Sequence, residues 1–240
     1  MSSNSRLSCN ASPFDFGAFD ATFVAAARRE GFAEETIAEV EGDPVRVWTR
    51  PGPSPDSPLA YLSAGMHGDE PAGPLAALAA VERRLLSSEC AWALAPALNP
   101  SGLRRGTREN ARGIDLNRDF LRRRSREVQA LTAWWQRQPR GCELHLSLHE
   151  DWEAEGFYFY AINSSSQLCF SELVRQSLET SIPLQQTGPV DGHSLVKPGL
   201  IAHACEADEP EGWPEAIWLA KRYPLLTYTF EAPGALPIDA

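Results

Sequence analysis

The stretch Ala64-Gly65-Met66-His67-Gly68-Asp69-Glu70 follows an apolar run, Leu59 to Ser63, and precedes a helix-like run from Pro71 to Leu86. A strand that stops at a glycine-flanked histidine, with a carboxylate three residues on, sets an imidazole and a carboxylate at one sheet edge. Zinc takes both donors readily. Alone, His-x-x-Glu is a weak signal, and its plainer reading is a capped helix start. Asp69 and Glu70 would then complement the helix dipole, with Pro71 in the first turn. What lies downstream shifts the balance. His149 and Glu231 each follow an apparent strand, 143–148 and 225–230. His67, Glu70 and His149 together make a three-ligand zinc site with an open fourth position. Glu231, on a separate strand, is the partner expected for a zinc-bound water, taking and returning its proton.

A long polar segment, 99–126, holds nine arginines of the 22 cations in the chain. A connection of that length without apolar periodicity is usually functional or disordered. Asn117-Arg118 offers an amide and a guanidinium fork able to hold a substrate carboxylate in bidentate fashion. Arg108 could stabilise an oxyanion developing on an attacked carbonyl. Arg122, Arg123 and Arg124 read as a solvated face.

The elements that must position these groups alternate. Phe19–Arg29, 71–86, 126–138, 167–179 and 213–223 carry helical spacing or polarised ends. The stretches 44–49, 59–64, 91–98, 143–148, 156–162 and 225–230 read as strands. Strands alternating with helices predict an α/β fold, a mixed, mostly parallel twisted sheet with helices on both faces. In such sheets the ligand crevice lies outside the carboxyl ends of the strands. Tyr158 and Tyr160 alternate with Phe157 and Phe159, so one of the two sets is expected in the core. The segment 206–215 holds five acidic residues and reads as a surface loop that also leaves room for a second metal. Residues 1–15 are expected to be a tail, and 16–240 a single catalytic domain without an internal linker.

The chain has 240 residues, a net charge of −10 and a pI near 5.0, a balance that disfavours nucleic acid or an anionic membrane as partner. Five cysteines, Cys9, Cys90, Cys142, Cys169 and Cys205, lack paired spacing and read as reduced, mostly buried thiols. Met1 to Ser12 has no apolar signal-peptide core, and no run approaches a transmembrane length. A cytoplasmic location follows as the expectation. His145, His193 and His203 belong to no motif and read as structural.

His67-x-x-Glu70, Asn99-Pro100-x-Gly102, Arg108-x-Asn110, Asp115-Leu116-Asn117-Arg118-x-Phe120, His149 and Glu231 together resemble the zinc carboxypeptidase superfamily in order and spacing. The match covers roughly residues 58–234 and looks most like short bacterial murein-peptide amidases. The resemblance implies one Zn2+ per chain on His67, Glu70 and His149, with Glu231 as general base and acid. It implies Arg108 at the oxyanion, Asn117 and Arg118 at the substrate's free carboxylate, and Asp115 as the acceptor that orients His67. Two departures stand out. The mobile tyrosine of digestive members has no counterpart upstream of Glu231, where the acidic loop lies instead, and Asp69 replaces their charged residue between the first two ligands. The expected activity is hydrolysis of an amide next to a free carboxylate on a small peptide. N-acyl amino acid deacylases, resembling aspartoacylases and succinylglutamate desuccinylases, share most of these motifs. They usually carry a further C-terminal β domain, and only nine residues follow Glu231, which favours the peptidase. A binding module that has lost catalysis is the third reading.

Overall fold

The computed structural model describes residues 14–165 and 169–234. Eight strands form one sheet: β1 (Ala33–Val40), β2 (Asp43–Arg50), β3 (Leu59–Ala64), β4 (Ala91–Ala95), β5 (Leu144–Asp151), β6 (Tyr158–Asn163), β7 (Leu200–Ala202) and β8 (Leu226–Pro233). Their order is β1-β2-β4-β3-β5-β8-β6-β7. The centre, β4-β3-β5-β8, is parallel throughout, while the β1–β2, β2–β4 and β6–β8 pairs are antiparallel. The mixed, mostly parallel sheet predicted from the element pattern is the sheet observed.

Among the described residues six helices cover both faces: α1 (Phe16–Arg29), α2 (Ala72–Glu82), α3 (Pro100–Arg105), α4 (Arg126–Gln136), α5 (Ser171–Glu179) and α6 (Glu215–Ala220). The two-residue period of a strand divides the core. Ala60, Leu62 and Ala64 of β3 pack with Phe19, Phe23 and Val81 of α1 and α2. Tyr61, on the other face of β3, packs with Trp134 and Trp135 of α4 and Trp218 of α6. In β5 the split is sharper. Leu144, Leu146 and Leu148 face the α1–α2 side, and His145, Ser147 and His149 face the other. The helix face opposite α1 therefore meets a polar column within a buried sheet.

Several elements differ from the expectation. Strand β1 lies where no element is expected; its three acidic residues among eight hide any alternation, and its exposed face is tolerated because it is an edge. A two-residue turn with Glu41 and Gly42 both at positive φ joins it to β2, the geometry that suits the twist of a tight hairpin. Helix α3 opens the polar segment that read as loop: Asn99 caps it, Pro100 sits in its first turn, and Gly106 ends it in the left-handed conformation. Strand β7, at three residues, is too short for a period to register. Tyr158 and Phe159 are both buried, because the sheet is covered on both sides there. His149 and Glu231 lie inside β5 and β8, near their carboxyl ends, and not beyond them. Of the expected tail, 1–13 lie outside the described residues. Phe14 packs on Phe19, and Asp15 caps α1 by accepting from the Ala18 N–H. Among the described cysteines only Cys142 is buried, and Cys169 is exposed. No helix among the described residues is long and apolar enough to cross a membrane.

Two glycines set how closely the elements around the β3–α2 connection approach. A Cβ at Gly68 would stand 1.9 Å from the Gly102 carbonyl carbon, and one at Gly73 would stand 2.6 Å from the Leu148 carbonyl oxygen. The first contact seats the His67 loop on α3, and the second seats α2 on β5 beside His149. Backbone on backbone cannot give way as a side chain can, so Gly68→Ala is expected to cost about 3 kcal/mol, the upper end for overpacking. For a chain of this size that is a fall in Tm of roughly 6–12 °C. Calorimetry showing a Tm within 2 °C of the parent (about 0.5–1 kcal/mol) would contradict the close seating.

Candidate active site

Three elements bring their polar side chains to one end of the sheet. The loop leaving β3 carries His67 and Glu70, β5 carries His149, and β8 carries Glu231. His149 and Glu231 are direct neighbours in the parallel β5–β8 register, so their side chains share a face. The chain order reverses at β3, whose neighbours are β4 on one side and β5 on the other. The crevice at such a switch point is where open α/β sheets bind ligands.

His67, Glu70 and His149 are buried, at 3, 7 and 4% exposure. His67 Nδ1 lies 2.6 Å from Glu70 Oε1, and His149 Nδ1 lies 2.8 Å from Glu70 Oε2. The opposite ring nitrogens are occupied elsewhere: His67 Nε2 is 3.2 Å from Asp115 Oδ1, and His149 Nε2 is 3.1 Å from Ser147 Oγ. With Nε2 engaged outward, each ring turns Nδ1 to the Glu70 carboxylate, a contact that needs positive charge between the atoms, a ring proton or a metal ion. Two imidazoles and a carboxylate with converging donor atoms, each ring steadied by an outer partner, fit a divalent metal ion. The Glu150 N–H adds a 3.3 Å bond to Glu70 Oε2, while the Glu150 carboxylate accepts from Ala72 N at the start of α2.

The acids here separate into two kinds. Burial would raise Glu70 and Asp115, but the imidazoles of His149 and His67, with Arg108 beside Asp115, hold both well below the ordinary carboxylate range. Glu231 is half-buried, and its carboxylate accepts no hydrogen bond from any described residue. Burial, opposed by His149 and reinforced by Glu70, Asp151 and Asp191, pushes it up to about 8.

The polar segment wraps over this end. Asn110 accepts from the N–H groups of Arg112 and Ile114 and donates to buried Glu127, which fixes the loop. Asp115 accepts from Asn117 N and, at 3.0 Å, from Arg108 Nε. The Arg108 guanidinium also lies 3.5 Å from Glu70 Oε1, with 41% of its side chain still exposed. Asn117 Oδ1 accepts from Glu215 N at 3.0 Å, and Arg118 is exposed, its Nη1 donating to the Asn117 carbonyl. No carboxylate of the described residues pairs with Arg118. Of the three arginines expected on a solvated face, Arg122 pairs with Glu211 and Arg124 with buried Asp119.

A buried network that the residue pattern did not reveal supports the site from below. Glu215, 1% exposed, accepts from Tyr61 Oη at 2.8 Å and Ser63 Oγ at 2.6 Å, with His145 Nε2 at 3.5 Å. Ser63 Oγ reaches Ser147 Oγ at 3.3 Å, and Ser147 meets His149. Burial pushes the Glu215 pKa up, but His145 and the two hydroxyls override it and hold the group ionised. The one available signal was the alternation His145-x-Ser147-x-His149, which puts all three on the face that receives Glu215.

Fold and donor set together define a metallo-hydrolase of the zinc-carboxypeptidase-like superfamily. Within it, the chain belongs to the succinylglutamate desuccinylase/aspartoacylase family, whose catalytic-domain model matches residues 56–190. A protein of Shewanella baltica OS155, provisionally named a metallopeptidase, is 26% identical, with a TM-score of 0.78 over 95% of this chain and 87% of that one. A similarly named protein of Shewanella denitrificans OS217 is 25% identical, with a TM-score of 0.79 over 95% and 85%. A metallo-carboxypeptidase of Pseudomonas aeruginosa, solved with (2-guanidinoethylmercapto)succinic acid, shares the fold at 23% identity and a TM-score of 0.62. That match covers 89% of this chain and 59% of the other. No curated protein sequence matches the chain significantly.

Replacing Glu215 by leucine strands His145, Ser63 and Tyr61 in a dry interior. Breaking a buried charged network costs about 3–5 kcal/mol, so Glu215→Leu is expected to lose that much in urea unfolding. A loss below about 1 kcal/mol, the scale of a single ordinary hydrogen bond, would show that the network carries no such weight.

Proposed function

We propose that the protein is a zinc-dependent hydrolase that cleaves an amide bond next to a free carboxylate on a small peptide. The observation that carries this reading is the pairing of a buried His67–Glu70–His149 donor set with Glu231, whose carboxylate has no hydrogen-bond partner among the described residues and which is adjacent to His149 across β5 and β8. These three residues would hold the zinc through the two Nδ1 atoms and the Glu70 carboxylate. When bound, zinc supplies Lewis acidity toward a carbonyl oxygen and lowers the pKa of a water.

The chain's own residues supply the remainder. Glu231, pushed up to about 8, is suited to take a proton from the attacking water and return it to the leaving nitrogen. Arg108, held by Asp115 and 3.5 Å from Glu70, keeps part of its side chain exposed, which supports a role facing the developing oxyanion. Asn117, its oxygen committed to the Glu215 N–H, turns its amide nitrogen to duty as a donor. With the unpaired Arg118 it forms the carboxylate clamp. A second reading, deacylation of an N-acyl amino acid, is favoured by the family match over residues 56–190. Both readings use the same clamp and differ in the acyl group.

Glu231→Gln keeps the shape but cannot accept a proton, and is expected to lower kcat by about 10²–10⁴-fold with zinc content unchanged. Near-full kcat in that variant would pass the role to a neighbouring acid, Glu150 or Asp151, although Glu150 accepts from Ala72 N and Asp151 from Glu153 N and the Tyr158 hydroxyl.

The clamp is tested with matched peptides and N-acyl amino acids, each with a free or an amidated carboxylate. Losing one partner of a charge-assisted pair costs roughly 2–5 kcal/mol, so amidation should depress kcat/KM by about 30-fold or more. Arg118→Ala should then lose little further on the amidated substrate. Equal hydrolysis of free and amidated forms would overturn the clamp and point to an endo-acting amidase. Metal binding with hydrolysis of neither series would mark a binding module.

A further inference from the structure

His193 and His203 belong to no part of the machinery above, yet the fold brings both to one carboxylate. His193 Nε2 lies 3.2 Å from Asp208 Oδ2, and His203 Nε2 lies 3.4 Å from Asp208 Oδ1. The two imidazole centroids are 4.8 Å apart, and one donor atom from each of the three residues falls within a 4.8 Å span.

Three observations point to a ligand there. First, the His203 ring is set by a 2.6 Å bond from Nδ1 to the Ala204 carbonyl. A carbonyl only accepts, so Nδ1 carries a proton and Nε2 is the atom turned to Asp208. That pairing is satisfied by a positive charge between the two atoms, which a bound cation supplies. Second, separations of 3.2 and 3.4 Å exceed the 2.7–2.9 Å of a charge-assisted hydrogen bond. Third, both histidines stand on fixed backbone. His193 closes a turn through reciprocal bonds with Val190, of 2.8 and 3.0 Å, and His203 N donates to the Ala161 carbonyl of β6 at 2.9 Å. The Tyr160 ring packs against both imidazoles, and Asp191, bonded by the Tyr160 hydroxyl, adds negative charge beside them.

We propose that His193, His203 and Asp208 form a second binding site for a zinc-class divalent cation, distinct from the His67–Glu70–His149 site. Its place in the fold is the cleft wall on the β6 side: Tyr160 lies on the same face of β6 as Tyr158, the β6 residue paired with Glu231. The ion clasps three separate segments, the 190–193 turn, the end of β7 and the acidic loop. That loop continues to Gly212, where a Cβ would lie 3.1 Å from Arg118 Cδ. Occupancy therefore holds in place the loop that abuts the proposed carboxylate clamp.

The test is zinc binding to the full chain by titration calorimetry and elemental analysis after equilibration at micromolar free zinc. Two zinc ions per chain are expected, with His193→Ala and His203→Ala each losing one. Asp208→Asn, an exposed change that leaves folding intact, should weaken the same site more than about 10-fold, the loss typical of even an outer-shell substitution. In a His149→Ala background the remaining zinc should protect the 206–212 loop from limited proteolysis, and adding His193→Ala should abolish that protection. An unchanged stoichiometry in both His193→Ala and Asp208→Asn would overturn the second site, whatever becomes of the first.

Discussion

A charge that leaves water must find its partners inside the fold, and the Glu215 carboxylate finds them on two different strands. Tyr61 and Ser63 come from β3, and His145 from β5. Through Ser147 the same column reaches His149, and through its own backbone N–H Glu215 anchors Asn117. One ionised group thus fixes the start of α6, the polar face of the central strands and the loop that carries the proposed clamp. A small drift in α6 would be felt at both ends of the cleft. The desolvation cost of such a group, several kcal/mol per ion, is tolerable only because its donors are all supplied.

Above that column the carboxylates are held in opposite states by their surroundings. Glu70 sits among two imidazoles, a backbone N–H and a guanidinium, so it stays ionised across the working range of pH. Glu231, a short step along the sheet, has burial and like charges around it and no donor, so proton exchange near neutrality comes easily. Environments that push two carboxylates apart separate a ligand from a proton carrier. Here the separation follows from the strand period: Glu231 faces His149 across a parallel ladder, where backbone hydrogen bonds are spent within the sheet.

Much of this was legible in the residues. The parallel centre of the sheet announced itself as short apolar runs that stop at polar groups, and the His67–Glu70 spacing is local enough to read directly. The strand ends were harder, because His149 and Glu231 continue the ladder as polar residues and so read as lying beyond it. Strand β1 escaped because ion pairs such as Glu34 with Arg46 stabilise it more visibly than buried apolar side chains. Helix α3 carried its own signs, an asparagine cap and a proline, hidden in a segment judged by its charge. The Glu215 network and the His193–His203 pair depend on contacts between residues far apart in sequence or held by loops. The alternation His145-x-Ser147-x-His149 marks one face of β5, but no periodicity encodes Glu215, His193 or His203 as their partners.

The parallel pairing of β5 with β8 has a consequence for how the chain comes to be folded. His67, Glu70 and His149 are all in hand once β3 and β5 have paired, whereas Glu231 arrives on a strand about eighty residues later. The β3–β5 and β5–β8 pairings close loops of similar length, so the direction of synthesis is what orders them. A nascent chain can therefore bring the proposed metal donors together while the strand of the proposed proton carrier is still unpaired. On that proposed reading, metal capture and competence for chemistry become separate events in time, and the docking of β8, not the filling of the metal site, completes the machinery.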